Sequence, residues 1–154
     1  MALLCIYHLE ANAQNDEPVS SELKVFKITI DASGDEMALE VSETQPGDTL
    51  EYRLTYTNNT AEAISNLVPT LPIPEGMQFI PNSASPEINK ASTSMLENDF
   101  APIPLTRTVM TDDGEQITKE ISESEYRRLQ WTVPALSGKE SITLSARVIV
   151  VNNQ

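Results

Sequence analysis

Apolar residues along this chain return at every second position, and only rarely at helical spacing. Between Thr49 and Asn58 the residues Leu50, Tyr52, Leu54 and Tyr56 fall on one side, with Glu51, Arg53, Thr55 and Thr57 on the other. A period of two sends one set into a core and the other into water, as a half-buried strand requires. Near the end, Ile142, Leu144, Ala146, Val148 and Val150 form a second such row, with Thr143, Ser145 and Arg147 opposite. Leu23–Ile30 and Met37–Ser42 predict two earlier strands, and Leu129, Trp131 and Val133 a later buried one. Shorter runs at 63–68 and 76–81 predict two more.

Turn residues punctuate these runs. Pro46-Gly47-Asp48 presets a turn, because proline fixes φ and glycine accepts a positive one. Asp113-Gly114 lies between the alternating runs 105–111 and 116–121 and signals a hairpin. Ser122 with Glu125 has capping-box spacing, which fits a single helical turn over 122–126. Pro69, Pro72 and Pro74 forbid regular ladder bonding and predict an edge or crossover. Residues 14–21 read as a loose lead-in, 82–102 as a long surface loop with at most an edge strand, and 134–139 as a turn. The sum is eight to ten short strands with no long helical pattern. That pattern predicts an all-β, immunoglobulin-like antiparallel β-sandwich, formed as one domain over residues 22–152.

Composition narrows the function. Asp and Glu outnumber Lys and Arg by 23 to 10, a net charge of −13. Such a surface repels nucleic-acid phosphates and anionic head groups, so neither is an expected partner. No stretch approaches the ~20 apolar residues of a membrane span. The only cysteine, Cys5, and the only histidine, His8, lie near the start. There, Ala2–Tyr7 is apolar and Ala11-Asn12-Ala13 matches the small-x-small pattern of signal peptidase sites. No Lys or Arg precedes Lys24, so the expectation is a truncated signal peptide over 1–13 whose true start lies upstream. A terminal strand ending in Ala-Asn-Ala is the alternative. With those residues removed, Ser-His-Asp and Cys-His catalysis and zinc, copper and haem ligation are excluded. Five unclustered glycines give no phosphate-cradling loop.

The order of motifs resembles a bacterial extracellular family, the conserved repeat domain (domain of unknown function eleven). Its opening is matched by Pro46-Gly47-Asp48, the alternating strand with Tyr52 and Tyr56, and the turn at Asn58. Leu71-Pro72-Ile73-Pro74-Glu75-Gly76-Met77-Gln78-Phe79 matches its Leu-Pro-x-Gly element and aromatic strand. Trp131 to Val150 matches its closing Trp strand, Gly turn and last strand, so the likeness covers about residues 37–151. Ala61-Glu62 replaces the glycine usual after Asn-Thr, and 82–128 is longer than in compact repeats. The resemblance implies an immunoglobulin-like sandwich on surface or secreted proteins, serving as stalk, spacer or adhesive module. It implies no catalytic residues.

Few residues remain as candidates for chemistry. Carboxylate pairs of the glycosidase kind are offered by Asp112 with Asp113 and by Asp35 with Glu36, all at turns where acidic residues also form the turn itself. Calcium candidates are Asp112, Asp113 and Glu115, three carboxylates around one turn, and Asp48 beside Glu51 is similar; neither has EF-hand spacing. Tyr126 beside Arg127 and Arg128 is a basic-aromatic interaction candidate on an acidic molecule, or a cover for the edge of the sandwich. Trp131, Tyr52 and Tyr56 lie on apolar sides and are expected in the core. Asn58-Asn59-Thr60 fits the glycosylation sequon. Two functions follow as expectations: a non-enzymatic exported module with a protein partner in the cell envelope, or a small periplasmic protein binding a ligand or calcium. Calorimetric titration with calcium separates them: the first expects no heat and an unchanged melting temperature, the second expects both to respond.

Overall fold

The computed structural model describes residues 17–96 and 98–151. The signal-peptide reading of residues 1–13, with Cys5 and His8, lies outside the described residues. Among the described residues, thirteen strands and one short 3-10 turn follow in order. The first six are β1 (Val19–Ile30), β2 (Glu36–Glu40), β3 (Thr49–Asn58), β4 (Ile64–Leu67), β5 (Thr70–Pro72) and β6 (Met77–Phe79). Next come β7 (Lys90–Ser92), β8 (Ala101–Pro102), β9 (Thr106–Met110) and β10 (Gln116–Glu120). The 3-10 turn Glu123–Glu125 precedes β11 (Arg128–Gln130), β12 (Val133–Leu136) and β13 (Ser141–Val150).

Every pairing is antiparallel. One sheet has five strands in the order β2-β1-β3-β13-β6. Opposite it runs β5-β11-β7-β8, and the pair β12-β4 extends it. The extension is one ladder: a single register holds from Ile64↔Leu136 to Pro72↔Arg128, and the Trp131 N–H bridges the gap by donating to the Pro69 carbonyl at 3.0 Å. Leu50, Tyr52, Phe79, Leu144, Ala146 and Val148 of the first sheet close on Leu71, Ala91, Leu129 and Trp131 of the second. This is the all-β sandwich that the period-two rows require. Trp131 and Tyr52 are core residues, as expected, and Tyr56 packs against the core while partly exposed. The indole N–H of Trp131 donates to the Pro86 carbonyl at 2.8 Å, which satisfies its one polar atom.

The hairpins follow from their turns. Asp31–Asp35 and Thr111–Glu115 share one construction: a glycine at positive φ (Gly34 at 88°, Gly114 at 82°), and a first residue whose side-chain oxygen accepts the N–H of the fifth. Gly47, with φ 93°, follows Pro46, and Gln45 is closed onto Asp48.

Three segments differ from the sequence reading. Strand β1 starts at Val19, inside the expected lead-in, because Val19–Ser21 pair with Asn58–Tyr56 although their side chains alternate weakly. Within 82–102, β7 is an interior strand with Ala91 fully buried, and Ile88 is buried beside it. Three residues with one apolar member carry no visible period. Residues 134–136, expected in the turn, continue the strand from Val133, with Pro134 placed opposite Asn66, whose φ is 59°.

Two contacts hold the loops at one end of the sandwich. Asn58 is fully buried. Its amide donates to the carbonyls of Glu62 (2.7 Å), Leu136 (3.0 Å) and Ser137 (3.0 Å), and its oxygen accepts from the Thr60 N–H and hydroxyl. The sequon therefore closes on itself in the folded chain, with no access to the Asn58 nitrogen. Beside it Gly138 lies so near Ala61 that a Cβ would stand 2.1 Å from the Ala61 carbonyl oxygen. We expect Gly138→Ala to destabilise by about 1–3 kcal/mol in denaturant titration. Asn58→Asp should cost more than Asn58→Ala, about 3 kcal/mol or above, because a carboxylate would face three carbonyl oxygens without a donor to offer.

Candidate functional site

The outer face of the five-stranded sheet holds a charge that a solvated face does not need. Glu51, in the polar row of β3, is only 9% exposed. Its Oε2 accepts from Arg147 Nε at 2.8 Å and its Oε1 from Arg53 Nε at 2.7 Å. The other edge of Arg147 is also paired: Nη1 and Nη2 donate to the two oxygens of Glu36 at 2.9 and 2.8 Å. Arg53 in turn lies 4.4 Å from the ring centroid of Phe26.

The Glu36 contact reflects the curvature of the sheet. Glu36 is on β2 and Arg147 on β13, three strands away in the order β2-β1-β3-β13. In a flat sheet that separation is about 14 Å sideways. Arg147 is in register with Glu51, Phe26 and Glu40, so Glu36 is also four residues away along the strand direction. The tip of the β1–β2 hairpin therefore curls over the outer face, following the twist of the sheet. From the other side, residues 80–85 continue past β6 along the side of β13 that faces away from β3. Ile80 N–H donates to the Arg147 carbonyl at 3.0 Å, Arg147 N–H donates to Ser83 Oγ at 3.0 Å, and Ser85 and Ser145 exchange backbone bonds of 2.9 and 2.7 Å. Between the tip and this segment lies a groove of about 630 Å³ with Glu51 and Arg147 in its floor.

These contacts set the ionisation. Hydrogen bonding and charge from Arg147 hold the Glu36 carboxyl below its ordinary value. Burial pushes Glu51 up, but the hydrogen bonds and charges of Arg147 and Arg53 outweigh it and leave its pKa lowered. Arg147 is raised well above its usual value by bonding to Glu36 and then Glu51.

The residues singled out in the sequence fall elsewhere. Asp112, Asp113 and Glu115 sit exposed at the tip of the β9–β10 hairpin, which forms a separate two-stranded sheet. No group of three His, Cys, Asp or Glu side chains among the described residues is placed to hold a metal ion. Asp35 and Glu36 separate, since Glu36 turns to Arg147 while Asp35 closes its turn through the backbone. Asp48 binds Lys27 at 2.8 Å, apart from Glu51.

Tyr126, Arg127 and Arg128 are not an exposed trio. Tyr126 is fully buried, its ring stacks on Phe79 at 6.4 Å, and its hydroxyl accepts the Leu105 N–H at 3.2 Å. It thus anchors the base of the β9–β10 hairpin. Arg127 donates to the Met77 carbonyl at 2.9 Å. Arg128 donates to the Ser94 carbonyl at 2.8 Å, pairs with Asp99 at 3.3 Å and covers the Phe100 ring at 4.5 Å. Tyr126 therefore belongs to the core, while Arg127 and Arg128 are engaged in contacts within the chain.

Edges complete the surface. In the β1–β2 hairpin Asp31 N–H donates to Asp35 O. Bonded and unbonded pairs then alternate, so Met37 and Leu39 bond to β1 while Glu36, Ala38 and Glu40 turn their backbone groups outward. Met37 and Leu39 side chains are 43% and 45% exposed. Glu36, Glu51 and Arg147 were not singled out together by sequence reasoning, although Glu51 and Arg147 stood in the two most regular rows. No family model, curated protein or solved structure matches the chain.

Glu36 and Glu51 both titrate below the ordinary 4.5, so the stability they confer is present above about pH 4.5 and is lost as pH falls through their lower folded values. Glu51→Gln should cost about 1–3 kcal/mol at pH 7. Its difference from the wild type in thermal or denaturant melts should shrink as pH falls from 5 towards 3. A gap that is constant with pH contradicts this assignment.

Proposed function

We propose that the chain is a non-enzymatic structural or interaction module of the bacterial cell envelope or surface, which pairs with a protein partner along β2. The observation that carries this reading is the open edge of β2. Its outward N–H and C=O groups stand beside two exposed apolar side chains, an arrangement that takes up an added strand. Several other edges are blunted: Pro69 and Pro72 mark β4–β5, Pro81 follows β6, Pro102 lies in the two-residue β8 and Pro104 comes soon after it. Strand β2 has neither proline nor lysine.

Export rests on the sequence, through Ala11-Asn12-Ala13 and the resemblance to the extracellular repeat family. The non-enzymatic reading is supported by the separation of Asp35 from Glu36, by the exposed hairpin-tip position of Asp112 and Asp113, and by the structural engagement of Tyr126, Arg127 and Arg128. The second reading, a small ligand-binding protein of the periplasm, is favoured by one observation, the groove over Arg147.

The test is Ala38→Pro. Its N–H faces outward, so proline removes an outward donor and leaves the β1 ladder intact. We expect native-like melting and the loss of specific cross-linked partners from envelope extracts relative to the wild type. Identical partners for both proteins, or none for either, would refute pairing at β2.

A further inference from the structure

Arg147 is held more firmly than its pairing with Glu36 requires. Its Nε edge is fixed by Glu51, whose side chain is 12% exposed and belongs to the central strand β3. Its backbone is clamped by Ser83 and Ile80. The guanidinium fork of Nη1 and Nη2 is thus aimed into the groove by groups other than Glu36. The carboxylate that fills the fork comes from the edge strand, and its side chain is 53% exposed.

We propose that this groove is a binding site for a carboxylate carried on a small apolar body, and that Glu36 is its internal stand-in. A planar carboxylate matches the fork with two parallel hydrogen bonds, as Glu36 does. Exchange replaces two charge-assisted bonds by two of the same kind and releases Glu36 to water. The ion pair given up is partly solvated, and such pairs contribute little. Ile28 and Ile30 line one wall and Ile80 and Pro81 another, and Ile30 is 63% exposed, so an apolar body gains burial there. The volume of about 630 Å³ lies in the range of small-molecule sites. Glu51 beside the fork disfavours dianions such as phosphate, because a second negative charge would meet it at close range. This site is independent of the β2 edge, whose failure would leave it standing.

The experiment titrates the full chain with N-acetyl-leucine and, separately, with N-acetyl-leucinamide, followed by proton–nitrogen correlation spectra that include Arg147 Nε. The acid should shift Arg147 Nε and the amides of Ser83, Ser145 and Arg147, while the uncharged amide should not. Glu36→Ala should tighten binding of the acid on the order of ten-fold by vacating the fork. Arg147→Lys keeps a charge opposite Glu51 but cannot present the fork, and should abolish the difference between acid and amide. Equal response to acid and amide, shifts outside the groove, or unchanged affinity in Glu36→Ala would each overturn the proposal. Should Arg147→Lys unfold, the comparison of wild type with Glu36→Ala decides.

Discussion

The pairing of β3 with β13 is the constraint on which the rest of the molecule depends. One register, Leu54 to Leu144, Tyr52 to Ala146 and Leu50 to Val148, supplies six of the buried core side chains. The same register sets Glu51 beside Arg147, Thr55 beside Thr143 and Thr57 beside Ser141 on the opposite face. There the hydroxyl pairs are bonded at 2.9 and 2.7 Å. A slip by one residue would exchange the faces completely, sending the ion pairs inward and the apolar row into water. Both ends guard against it. Val150 exchanges bonds with Gly47 and Asp48 at one end, and Asn58 N–H meets the Glu140 carbonyl at the other.

How much of this was legible depends on how locally each feature is encoded. Strands β3 and β13 declare themselves because ten-residue rows of period two have no competing reading. The β9–β10 hairpin does so because Asp113-Gly114 forces its turn. Strand β7 does not, since Ala91 alone gives no pattern and its place between β11 and β8 is set by neighbours distant in sequence. Tyr126 is instructive in another way. Extending the inward alternation of Leu129 and Trp131 backwards puts Arg127 inside and Tyr126 outside. The 3-10 turn at Glu123–Glu125 resets that phase, and the tyrosine enters the core.

The candidate site was the least legible part, for a geometric reason. Glu51 and Arg147 are visible as polar members of regular rows, but polar residues of a strand are ordinarily solvated. Their burial arises because the β1–β2 tip curls across three strands and residues 80–85 close from the far side. Twist of this kind is a property of the whole sheet. No local pattern encodes the meeting of Glu36 with Arg147, separated by 111 positions.

The placement of β1 and β13 on either side of β3 carries a mechanical consequence. Both are antiparallel to β3, so the chain enters β1 at Val19, beside Asn58, and leaves β13 at Val150, one position beyond the pair Ile149 and Thr49. Those two points lie at opposite ends of β3, about 30 Å apart at ~3.3 Å per residue. Tension applied there acts along the strands and loads the two longest ladders in shear. Their hydrogen bonds lie across the pull, so they must yield together and cannot peel open one at a time. The order of strands that closes the core also makes the sandwich a link that resists stretching.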